Sequence, residues 1–190
     1  MIFQSIFEKF NLNINDKEMA ILASILANEP VTAYKIAVEN RMHFSYVYKK
    51  VESFEKAELV GYYCEPYDGR KLYYLLPKGV ILLLGHERPE RLYIDKLRDK
   101  WHLKDWGDQE IIDLVNIIIR HYRPGMPIND IVMVAYALYT RYLAGDIAVG
   151  DRERGVLNKL FRRSFEALVS LISYDCLEKC KGRLASREYI

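Results

Sequence analysis

Few side chains in this chain of 190 residues are spaced for bond-making chemistry. The histidines (His43, His86, His102 and His121) are scattered, with no His-Glu-x-x-His pattern that would set two imidazoles on one helix face. Asp95/Asp99 and Asp105/Asp108 are carboxylate pairs without a basic or metal-binding companion, and they read as surface charge. The cysteines are Cys64, Cys176 and Cys180. The last two would share a helix face, but a thiol pair without nearby His is a poor zinc site, and the odd, sparse count is no disulfide framework. No glycine-rich loop follows a strand pattern, so a nucleotide would find no backbone cradle. The expectation is therefore no enzyme, no catalytic residue, no metal and no cofactor. The chain does offer a set of cations and polar groups: Lys35, Arg41, His43, Ser45, Tyr46, Lys49, Lys50, Ser53, Arg70 and Lys71. Such groups hold phosphate oxygens by charge and hydrogen bonding.

The elements that must position them lie between Val31 and Gly79. Val31 makes a one- or two-residue strand. Thr32 caps a helix over Ala33–Glu39, with Tyr34, Ile36, Ala37 and Val38 as its buried side. Asn40–Phe44 is a turn with Met42 or Phe44 as its apolar plug. Ser45 caps the next helix, Tyr46–Ala57, whose Val47, Val51 and Phe54 face the core, with Leu59 continuing the stripe. At 100° per residue the opposite face centres on Lys49, beside Ser45, Glu52, Ser53 and Lys56, with Tyr46 on the flank. Two Tyr-rich strands, Tyr62–Glu65 and Lys71–Leu76, flank the tip Pro66-Tyr67-Asp68-Gly69; Asp-Gly is a strong turn signal. Arg70 and Lys71 follow it directly. Pro77 opens a further apolar helix. Helix, turn, helix and hairpin in this order make a winged helix.

Composition sets the limits around this module. About half the residues are apolar, which supports a real core. The 28 basic and 26 acidic residues are spread evenly, so there is no polybasic coat, although a local basic patch is compatible with that balance. The start of the chain lacks a basic n-region and a cleavage site. The purely apolar run Val80 to Leu84 is far short of the ~20 residues a spanning helix needs. A cytoplasmic protein with no membrane contact is expected. Fifteen Tyr among many Ile point to a hot-living, archaeal-like host.

The rest of the chain reads as helices. Ile2, Phe3, Ile6, Phe7 and Phe10 mark a short amphipathic helix in an N-terminal segment 1–15, packed either within the chain or against a second copy. Asp16 caps Lys17–Asn28. The winged helix spans 16–84, and a connector 85–106 holds a helix over Glu90–Trp101. Asp105–Asp108 is the expected boundary to a C-terminal domain, 107–190. That domain has helices at Gln109–Arg120, Ile128–Leu143 and Arg152–Tyr174, the last with Val156, Leu157, Leu160, Phe161 and Phe165 inside, and a final short one to about Leu184. The fold class is mainly α: a three-helix core with a β-hairpin wing, then an all-helical domain.

Val31–Gly79 resembles the winged-helix domains of PadR- and MarR-type transcription regulators. The residues that carry this are Thr32-Ala33-Tyr34-Lys35-Ile36-Ala37, then Ser45, Tyr48, Val51, Phe54, Ala57, Leu59 and Val60, then Gly69-Arg70-Lys71 with Tyr73, Leu75, Pro77, Lys78 and Gly79. The resemblance implies duplex DNA binding by the third helix, contacts from the wing and a homodimer. Residues 107–190 resemble no known family. On this reading Lys49 and Tyr46 enter the major groove, Ser45 and Ser53 lie beside them, and Lys50 adds charge on the same helix. Arg41, His43 and Lys35 clamp the backbone, and Arg70 and Lys71 reach the minor groove or phosphates. The helix and wing also carry Glu52, Glu55, Glu65 and Asp68, which thins the positive field. Two other readings stand beside a transcriptional regulator. One is a plasmid or viral replication or partition protein. The other is a protein-interaction module, with the C-terminal helices as a docking domain for a protein partner. Cations converging on one face would favour DNA; an exposed apolar groove there would favour protein.

Overall fold

The structure is a computed structural model, and it describes residues 6–86 and 91–166. It divides into two compact units, 1–130 and 131–190. The expected boundary at Asp105–Asp108 lies inside the first of them.

The first unit begins with α1 (Ile6–Lys9), a single turn. Its Ile6 and Phe10 sides are buried, Phe10 stacks edge-on against Tyr122 at 4.9 Å, and Lys9 Nζ donates to the Ile119 carbonyl at 2.6 Å. Residues 6–10 therefore pack within their own chain. Helix α2 (Asp16–Asn28) starts one residue earlier than expected, because Asn15 rather than Asp16 caps it. Glu18 N donates to Asn15 Oδ1 and Asn15 N donates back to the Glu18 carboxylate, a reciprocal capping box. Helix α3 (Ala33–Glu39) carries the Thr32 cap. Helix α4 runs Phe44–Lys56. Ser45 is not its cap: the helix begins at Phe44, His43 is the residue before it, and no side chain caps the end.

Strands β1 (Val60–Cys64) and β2 (Lys71–Leu75) pair antiparallel, with Tyr62 opposite Tyr73 and Gly61 opposite Tyr74. Val31 bonds to the free edge of β2 through both backbone groups of Tyr73, at 3.0 and 2.8 Å. Side chains alternate across a strand, so Tyr73 and Leu75 enter the core while Tyr74 faces the other way. A Cβ on Gly61 would meet the Tyr74 ring at 2.6 Å, so the absent side chain lets that ring lie across the strand. Helix α5 (Pro77–His86) is buried along most of its length. A Cβ at Gly79 would come within 2.5 Å of the Leu59 carbonyl, which is why this helix approaches the end of α4 so closely.

Helices α6 (Arg91–Lys100) and α7 (Asp108–His121) complete the first unit. One buried carboxylate ties α6 down: Glu29 accepts from the Leu75 N–H at 2.8 Å, from Lys96 at 3.1 Å and from Lys100 at 2.8 Å. Lys100 also stands 5.9 Å from the Tyr74 ring, so part of the second face of the hairpin is covered by this chain. In the second unit α8 (Ile131–Leu143) and a helix over residues 151–166 (α9) meet through Tyr139 and Phe161, 5.0 Å apart. Helix α8 begins three residues later than expected. Phe165, expected inside, is exposed at the edge of Tyr139. The expected final helix, Cys176 and Cys180 lie outside the described residues. No helix among the described residues is long and apolar enough to cross a membrane.

Candidate nucleic-acid interface

Helix α4 is the element on which the candidate residues converge, and its circumference divides into four strips. Val47, Val51 and Phe54 are buried against the core. Opposite them, Ser45, Lys49, Ser53 and Lys56 are all exposed, with Glu52 beside them. Lys49 and Lys56 have no ion-pair partner among the described residues. Arg41 and His43, in the turn that precedes the helix, are exposed and likewise unpaired there, and Arg41 takes a left-handed backbone at φ 52°. Lys35 is exposed on α3 and only loosely paired, 3.8 Å from Glu39 one turn on.

The third strip faces α2. Lys50 ion-pairs with Glu18, whose side chain is 7% exposed, and stands 5.7 Å from the half-buried Tyr46 ring. The hydrogen bond it donates to Glu18 holds the Lys50 ammonium above its ordinary value of 10.5, against the opposing effect of burial. This corrects the grouping of Lys50 and Tyr46 with Lys49. Lys50 is one residue on and 100° around, and it is already committed to a carboxylate that also caps α2.

The fourth strip faces the wing and is aromatic. Phe44 lies 6.5 Å from Tyr34 and 5.8 Å from Tyr48. These rings are 50%, 68% and 38% exposed, respectively. Tyr34 and Val38 were expected on the buried side of α3 and Met42 or Phe44 as the plug of the turn; Met42 is half-buried, whereas Tyr34, Val38 and Phe44 are exposed, Ala33, Ile36 and Ala37 alone satisfying the short helix. A spacing of 3.6 residues says which side chains share a face, but a seven-residue helix leaves open how wide the buried face is.

The wing cations are held by neighbours. Arg70 pairs with Glu65 at 3.0 Å and with Asp68, and its backbone N–H closes the turn by donating to Asp68 Oδ1 at 2.9 Å. Lys71 lies 3.6 Å from Glu55 and 3.7 Å above the Tyr62 ring. Burial lowers the Lys71 ammonium pKa, but Glu55 and the neighbouring tyrosines outweigh it and leave it raised. Between the wing and the starts of α3 and α4 lies an open cleft of about 590 Å³, lined by Tyr34, Phe44, Tyr48, Arg70, Lys71 and Tyr73 among others. Tyr73 is buried, its hydroxyl has no hydrogen-bond partner among the described residues, and burial raises its pKa. Sequence reasoning missed this cleft, although the aromatic types at 34, 44 and 48 were visible.

No protein-family model matches the sequence, and a comparison with curated proteins finds no match. Solved structures do match. The crystal structure of the S. aureus MepR–DNA complex is similar at 19% identity and a TM-score of 0.38, over 54% of this chain and 80% of that one. A MarR family transcription regulator is similar at 14% identity and 0.38, over 77% and 82%. A point mutant of S. aureus MepR bound to an oligodeoxyribonucleotide is similar at 14% identity and 0.38, over 76% and 87%. The winged helix itself rests on this chain's own element order and strand register.

Proposed function

We propose that this protein binds duplex DNA through α4 and acts as a transcriptional regulator. The observation that carries the reading is the outward strip of α4: Ser45, Lys49, Ser53 and Lys56 in line, with Arg41, His43 and Lys35 beside its uncapped N-terminus. A helix presented in this way fits the major groove, and phosphates fit the flanking cations and the N-terminal N–H groups. Lys49 is the central contact. Arg70 and Lys71 add wing contacts after exchanging their exposed carboxylate partners for phosphate. Such exposed pairs are worth only about 0–1 kcal/mol, so the exchange costs little. Lys50 and Tyr46 support the helix instead of touching DNA. A homodimer acting in the cytoplasm completes the proposal, with two α4 helices spaced about 34 Å apart or a multiple of it.

A second reading rests on the aromatic cleft, which is the kind of surface a protein partner would fill. Fluorescence anisotropy with mixed genomic duplex fragments across a salt series separates the two. DNA binding predicts a log K that falls linearly with log salt, and selection among fragments. Absence of binding at ~50 mM salt, where phosphate contacts are strongest, would transfer the site to a protein partner.

A further inference from the structure

The cleft between wing and recognition helix has a composition that the duplex reading leaves unused. Three rings in sequence, Tyr34, Phe44 and Tyr48, stand well exposed along one wall. Tyr73 closes the floor of the same cleft, almost entirely buried. Arg70 and Lys71 complete the lining. A phosphate backbone would engage the two cations and leave the rings unused. An apolar side chain would cover the rings and leave the cations unused. A nucleotide meets both demands: a π-face for the rings and its own phosphate for Arg70 and Lys71.

We infer that this cleft receives one unpaired base of a nucleic acid whose duplex part lies along the outward strip of α4. The inference rests on the DNA-binding reading above and adds a ligand to it. The volume of about 590 Å³ is ample for one ring system and its sugar. The cleft adjoins the strip directly, since Phe44 and Ser45 are consecutive. A base displaced at a bulge, a mismatch or a duplex end would therefore enter the cleft without the helix leaving the groove. Lys71, which lines the cleft, is itself held 3.7 Å above the Tyr62 ring.

The test uses the full chain and three DNA duplexes of one sequence. One is fully paired, one carries a single bulged 2-aminopurine, and one carries a bulged abasic site. The expected result is binding of the 2-aminopurine bulge about tenfold tighter than the paired duplex, which is within the effect of stacking one base on aromatic side chains. Its fluorescence should fall on binding, and the abasic bulge should lose the gain. Tyr48→Ala should bring the bulged duplex down to the affinity of the paired one. Equal affinity for paired and bulged duplexes, or an abasic bulge that binds as tightly as the base, overturns the inference and leaves duplex binding standing. Failure to bind any of the three at low salt removes both readings together.

Discussion

Lys49 and Lys50 are adjacent in sequence and belong to different parts of the molecule. Lys49 stands in solvent on the outward strip of α4, unpaired among the described residues. Lys50 is drawn to the α2 side by Glu18, a nearly buried carboxylate that also closes the capping box of that helix. One lysine is available to a ligand and the other holds two helices together. The difference teaches that counting cations on a recognition helix overstates its field. Between Val31 and Leu76 there are seven basic and six acidic residues. Lys35, Lys50, Arg70 and Lys71 each have a carboxylate within ion-pair distance, so the useful charge is concentrated at Lys49, Lys56 and Arg41.

The most damaging way to break this comparison is to remove the core strip that orients both flanks. Phe54→Ala should cost about 3–5 kcal/mol, as expected for an aromatic ring lost from a packed core. Chemical denaturation would measure it, and DNA binding should disappear with the fold. Next comes Lys50→Ala, which leaves Glu18 with only its backbone donor. Loss of one partner of a buried pair costs several kcal/mol. Solvent reaches Lys50, at 34% exposure, so the expected loss is reduced to about 1–2 kcal/mol. The pH dependence follows from the raised pKa of Lys50. The folded state holds this proton more tightly than the unfolded chain, so the stabilisation is complete below about 10.5 and is lost as pH rises through the folded value. The stability gap between wild type and Lys50→Ala should therefore be constant near neutrality and shrink in strongly alkaline solution.

Two further variants sharpen the comparison at the ligand. Lys49→Ala should weaken duplex binding about tenfold and lower the salt slope by about one, with stability changed by less than about 0.5 kcal/mol. Arg70→Ala should have a smaller effect, about threefold, because Glu65 and Asp68 compete for the guanidinium before DNA arrives. Removing those competitors gives the opposite sign: Glu65→Gln should strengthen binding, and a titration at fixed salt would show it.

Local signals carried most of the fold into the sequence. Thr32 as a cap, the apolar stripe of Val47, Val51 and Phe54, the turn at Asp68-Gly69 and Pro77 at a helix start were all legible because each depends on neighbours within a few residues. Even Val31 was readable as a stub of strand, and it bridges to Tyr73. The site was less legible, for physical reasons that differ by residue. Lys50 is claimed by Glu18, 32 positions earlier, and no local pattern announces such a pair. Tyr34 and Phe44 look like core residues by type, and only the packed structure shows that Ile36 and Ala37 fill that role without them. The cleft is assembled from α3, α4 and the wing, so it exists only after the chain has folded.

The central claim is that Lys49 touches DNA and Lys50 does not, and one paired measurement tests it most directly. Duplex affinity is measured by anisotropy at several salt concentrations for wild type, Lys49→Ala and Lys50→Ala, at a temperature where circular dichroism shows all three folded. The account predicts weaker binding and a shallower salt slope for Lys49→Ala, and wild-type values of both for Lys50→Ala. Equal losses in the two variants, or a loss confined to Lys50→Ala, would contradict it.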